Sequence, residues 1–179
     1  MPLDSPYAAT ADKYRPKRTS VLFVAEAPPD AVDRYFYFEN VEQGDWLWIA
    51  LMKALYPLEW GNTKAERQRK EWWLRKFQND QFRLIDAVKE PLSGNHGQRV
   101  RHIWSGAHEL VEEINQIAPQ QIVLIKSTVH EALFQQLSAA RLPVANGQYL
   151  PFPGSGWQTE FHDELRRLID TGALQLQPA

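Results

Sequence analysis

With 179 residues the chain is long enough for one domain with a sizeable core and too short for two ordinary ones. Apolar residues at 44% and charged residues at 23% mark a globular chain, and a net charge of −2 argues against tight, non-specific holding of duplex DNA, although a local basic face remains open. The lack of cysteine excludes a disulfide framework, a thiolate metal site, an iron–sulfur cluster and a cysteine nucleophile.

Residues 1–19 are polar and bear prolines, which predicts an arm leading into the first strand. They hold no apolar stretch of the signal-peptide kind, and no run approaches the ~20 residues that span a bilayer, so a cytoplasmic protein with no membrane partner is expected. Ser20–Ala25 is an unbroken apolar run ending before Pro28 and Pro29, the pattern of a buried strand emptying into a loop. Asp45–Tyr56 reads as a buried helix closed by Pro57. Thr63–Gln78 reads as another, opened by the capping-box pair Thr63 and Glu66. Phe82–Val88 is a second strand, closed by a loop with Pro91. Residues 94–98 form a loop, followed by a helix over Ile103–Ile117, a third strand at Gln121–Lys126 and a helix at Thr128–Leu137. A short fourth strand is expected at Leu142–Ala145, and a closing helix at Trp157–Thr171, capped by Thr159 and ended by Gly172.

Apolar strands alternating with helices imply an α/β fold, because parallel strands need crossovers. The expectation is a three-layer α/β/α domain over residues 1–179 with a four-stranded parallel central sheet. Ligands of such sheets bind beyond the carboxyl ends of the strands. Attention therefore falls on the loops after Ala25 and Val88, and on Gly147–Trp157.

Four segments at those strand ends have a pattern of their own. They are Ala25-Glu26-Ala27-Pro28-Pro29, Asp86-Ala87-Val88-Lys89-Glu90-Pro91, the APQQIVLIKSTVHEALF stretch ending at Phe134, and Leu150-Pro151-Phe152-Pro153. In order, they resemble the Gly-Glu-Ala-Pro-Gly, Asn-Val-Val-Lys-Cys-Arg-Pro, Lys-Pro-Lys-x-Ile-Val-x-Leu-Gly-x-x-Ala-x-x-x-Leu and His-Pro-Ser-Pro motifs of the iron–sulfur branch of the uracil-DNA glycosylase superfamily. The resemblance spans most of residues 20–170 and implies an enzyme that flips a damaged base out of DNA and hydrolyses its glycosidic bond. It departs from that branch at the metal: with no cysteine, no cluster, metal or other cofactor is expected.

By the resemblance, Glu26 is a catalytic candidate at the base edge, with Ala25, Ala27 and Pro28 around the base and Phe38 stacking on it. Ala27 stands where some branches carry a water-activating Asp, and Ala cannot serve as a base. Asp86 replaces an Asn. Ionised, it only accepts hydrogen bonds, so facing a uracil oxygen it would cost ~1–3 kcal/mol. It suits an exocyclic amine, or holds the attacking water as a general base, unless it caps the loop or pairs with Lys89. Leu150 stands where the motif has a donor for the leaving base, and losing one such donor typically costs roughly 10²–10³ in rate. Candidate DNA contacts are Lys89, Arg99, Arg101, Pro151, Pro153, Gly154 and Ser155. The basic stretch Lys64–Lys76 reads as a solvated face with Trp72 and Trp73 turned inward, and His96 and His162 as surface residues. The alternative keeps the fold without the chemistry, as an inactive homologue that binds a nucleotide, a nucleic acid or a protein partner. An unrelated doubly wound domain lacks support, since neither G-x-G-x-x-G nor a P-loop is present.

Overall fold

Three short strands set the frame. β1 (Val21–Ala25) lies between β2 (Phe82–Asp86) and β3 (Gln121–Leu124), all parallel, in the order β2-β1-β3. The computed structural model describes residues 5–40, 45–154 and 156–176. Every β1 side chain is buried, which is why that segment is apolar without alternation. Its residues nonetheless serve two faces: Val21, Phe23 and Ala25 enter one apolar cluster, Leu22 and Val24 the other.

Eight α-helices cover the sheet among the described residues: α1 (Pro6–Lys13), α2 (Trp46–Leu55), α3 (Lys64–Gln68), α4 (Lys70–Asn79), α5 (His96–Ser105), α6 (Ala107–Ile117), α7 (Ser127–Ala139) and α8 (Gln158–Asp170). The apolar sides of α1, α2, α4 and α8 join the Phe23 cluster, and those of α5, α6 and α7 join the Leu22 cluster. The chain is therefore a mixed α/β fold with helices on both faces of a small open parallel sheet. No described helix is long and apolar enough to cross a membrane.

Several expectations change. Residues 1–19 are not simply an arm, because α1 buries Tyr7 and leads into the fully buried Tyr14. The capping box of Thr63 and Glu66 forms, but the helix breaks at Arg69, where φ −96° and ψ 30° leave the helical region. Residues 94–98 are a second capping box: Asn95 accepts from Gln98 N at 3.0 Å, and the Gln98 side chain accepts from Asn95 N at 2.9 Å. The helix it opens divides at Gly106 into α5 and α6. Thr159 does not cap α8, which starts without a side-chain cap, whereas Gly172 does end it at φ +76°.

The fourth strand is reduced to a single bridge from Val144 to Ile122 of β3, and a further bridge joins Leu150 to Ile125 just past the end of β3. Pro143 has no N–H to continue a ladder. The buried Asn146 amide takes over, accepting from Leu124 N at 2.9 Å and donating to Leu124 O at 2.8 Å. At the other edge the Tyr37 hydroxyl does the same for β2, accepting from Leu84 N at 2.8 Å and donating to Leu84 O at 2.9 Å. Two side chains thus satisfy backbone groups that a wider sheet would pair with strands. Tyr37→Phe leaves both Leu84 groups buried and unpaired, and is expected to cost about 1–3 kcal/mol, seen as a lower urea midpoint with an unchanged slope.

Candidate functional site

The carboxyl ends of β1 and β2 open onto a cavity of about 300 Å³. Its wall begins with the β1 exit loop, Ala25 to Asp30, and includes Asp86 from the end of β2. The exit is held by backbone pairing past the strands, with Ala87 N donating to Ala25 O at 2.8 Å and Val88 N to Glu26 O at 2.9 Å. From α1, the Tyr7 hydroxyl donates to Pro29 O at 2.7 Å and pins the far side of that loop.

Glu26 is almost fully buried and fully engaged. Its carboxylate accepts from Arg99 of α5, from Lys126 Nζ at 2.7 Å, and from the Thr128 hydroxyl of α7. Burial pushes its pKa up, but the bonds from Lys126 and Thr128 and the charges of Lys126 and Arg99 outweigh that and hold it below the usual carboxylate range. Glu26 is thus an ionised anchor, with little capacity to take a proton near neutrality.

Asp86 differs in each respect. It is buried, no cation forms an ion pair with its carboxyl among the described residues, and the Tyr35 phenol lies in hydrogen-bonding reach of it. Burial pushes its pKa up to about 7, with the Lys89 charge and the neighbouring Tyr35 phenol acting in the opposite sense. The Lys89 amine bonds the backbone oxygen of Asp86 at 2.9 Å and pairs with Glu113 at 2.7 Å. Asp86 also walls a second cavity of about 240 Å³ under α1, with Tyr35 and Leu84 common to both.

The aromatic lining departs from expectation. Phe38 packs half-buried against the core and is not in the cavity wall; Tyr35 and Phe36 are. Trp46 and Phe152 line the mouth with 49% and 40% of their surface exposed. Behind Trp46, Asp45 caps α2 by accepting from Trp48 N at 3.2 Å and pairs with the fully buried Lys70, whose amine also reaches Tyr35 O at 3.4 Å. This buried pair ties the Tyr35–Phe36 wall to the start of α2.

Of the other expected contacts, Ala25, Ala27, Pro28 and Arg99 are in the wall, while Lys89, Arg101, Pro151, Pro153 and Gly154 are not. Ser155 lies outside the described residues. Gly154 still matters, since a Cβ there would come within 3.0 Å of the Phe152 ring. His96 and His162 pair with Glu131 and Asp163, away from the cavity. No cluster of metal-ligating side chains occurs among the described residues.

Lys126 is the unforeseen member. It is a non-glycine residue at φ +80° and ψ 144°, a region that costs roughly 1–3 kcal/mol for a residue with a side chain. Its N–H donates to Leu150 O at 2.7 Å, and its amine reaches into the cavity beside Glu26 and lies 5.8 Å from the centre of the Phe152 ring. The one sequence signal was that the resembled motif has Gly at this place. Leu150 itself is fully buried in the core. No protein-family model matches the sequence, and a search of the curated proteins finds no match.

The two acids respond oppositely to pH. Folded Asp86 keeps its proton up to about pH 7, whereas in the unfolded chain an Asp loses it near pH ~4. Its contribution to stability is therefore full below that lower value and is lost as pH rises through 7. Asp86→Asn cannot ionise, so it should match wild type at pH ~4 and exceed it by about 2–4 kcal/mol at pH ~8 in urea unfolding. An equal difference at both values would mean an ordinary carboxyl.

Proposed function

We propose that the strand-end cavity receives a nucleobase swung out of DNA and that the chain hydrolyses its N-glycosidic bond, as a uracil-DNA glycosylase-like protein. The observation that supports this most is the Asp86 carboxyl, buried in the cavity wall with no ion-pair partner among the described residues and pushed up by burial to a pKa of about 7. In its ionised form it is a general base matched to the working pH.

The proposed step is balanced as follows. Water attacks C1′ of the sugar and passes a proton to Asp86, the C1′–N bond breaks, and its electron pair leaves with the base. The products are an abasic sugar and the free base, which regains a proton from Asp86 or from solvent. Tyr35 and Phe36 supply aromatic wall, and Ala25 and Ala27 bring the β1 exit loop to the base.

A second reading, an inactive homologue that only binds a nucleotide, a nucleic acid or a protein partner, is favoured by two facts. Leu150 is sealed in the core, and Glu26 is fully engaged. The test is to incubate the protein with labelled single- and double-stranded oligonucleotides carrying uracil, hypoxanthine, xanthine or a mismatch, then cleave abasic sites with alkali. Base release by wild type with loss in Asp86→Ala is expected. If wild type releases no base from any of these substrates, the hydrolase reading is wrong and the binding one stands.

A further inference from the structure

Breaking a glycosidic bond leaves negative charge on the departing base, and a preorganised donor aimed at that charge is worth a large share of the rate. The buried Leu150 side chain has no polar atom to give. The chain entering α7 passes directly beside it, because Lys126 N–H donates to Leu150 O at 2.7 Å.

We propose that Lys126 is the group that stabilises the leaving base, with its ammonium donating to the base oxygen as the C1′–N bond breaks; this rests on the hydrolase reading of the site. Three observations converge on this residue. Its amine lies in the cavity wall and, among the described residues, makes a single hydrogen bond, to Glu26 at 2.7 Å. A lysine ammonium has three N–H donors, so two remain for a ligand. Its backbone holds φ +80° and ψ 144°, where glycine would sit without strain, so a lysine there is kept against a conformational cost.

Arg99, the other cation on Glu26, is less suited. Its guanidinium is also fixed to Gly94 O at 2.8 Å, so it is braced between two acceptors at the start of α5. Glu26 holds the Lys126 amine in place and is itself anchored by the Arg99 and Thr128 bonds. During the step the electron pair from the C1′–N bond is delocalised onto the base oxygen, where the ammonium bonds it. No proton need be transferred by Lys126, and the proton from water goes to Asp86.

Two measurements test this. Urea unfolding of Lys126→Gly and Lys126→Ala separates strain from charge, since both lose the amine and only glycine relieves the backbone. The Gly variant should have the higher midpoint, and a Gly variant no more stable than Ala would remove the strain on which the proposal stands. Single-turnover release is then compared for uracil and 5-fluorouracil in the same single-stranded oligonucleotide, the fluorinated base being the better leaving group. Lys126→Met should lose roughly 10²–10³ in rate on uracil and distinctly less on 5-fluorouracil. An equal loss on both bases would show a merely structural role and overturn the proposal while leaving the hydrolase reading intact. Release of neither base by wild type would overturn the role of Lys126 on uracil-type bases, and the broader panel of bases decides whether the hydrolase reading falls with it.

Discussion

A single buried carboxylate at the end of β1 gathers three donors from two later parts of the chain. Glu26 binds Arg99, Lys126 and Thr128, which lie 73, 100 and 102 residues further on. A buried charge of this kind is tolerable only when fully paired, and removing a partner of such a network leaves the rest exposed to the desolvation cost. The consequence is geometric. α5, the entry to α7 and the β1 exit loop are fixed to a common point, and the cavity is the space left between them.

The same economy governs the sheet. Three strands have two open edges: the Tyr37 hydroxyl pairs with Leu84 of β2, and the Asn146 amide pairs with Leu124 of β3 beside backbone bonds that join Ile122 to Pro143 and Ala145. Tyr37 belongs to the segment that also supplies Tyr35 and Phe36 to the cavity wall, so closing the edge also sets that wall. The buried Lys70–Asp45 pair anchors the same segment from the helical side. A site built this way is anchored at Glu26 and open at its mouth, where Trp46 and Phe152 keep free faces.

The strands were legible in the sequence because parallel, doubly covered strands leave continuous apolar runs, as in Val21–Ala25. The loops at their ends were legible for the same reason, and Glu26, Asp86 and Arg99 do meet at one cavity. What stayed hidden depends on contacts between distant residues. Leu142–Ala145 looks like a strand, and only tertiary structure shows that it pairs with Ile122 alone while the Asn146 amide serves Leu124. That Tyr35 and Phe36 rather than Phe38 line the cavity was not legible, because the four adjacent aromatics Tyr35 to Phe38 carry no clear period. Lys126 was missed because a positive φ has no signature when the residue is not glycine. The difference between Glu26 and Asp86, one ionised and one poised, follows from which cations reach them, and no local pattern encodes that.

The central claim is that Asp86 is a buried carboxyl that exchanges its proton near neutrality in the wall of the strand-end cavity. The most direct measurement is a carbon-13 NMR titration of the aspartate side-chain carboxyls from pH ~3 to ~9, with Asp86→Asn identifying the resonance. The account predicts a midpoint of about 7 for Asp86. A midpoint in the ordinary carboxylate range, near ~4, would contradict it and remove the general base from the proposed chemistry.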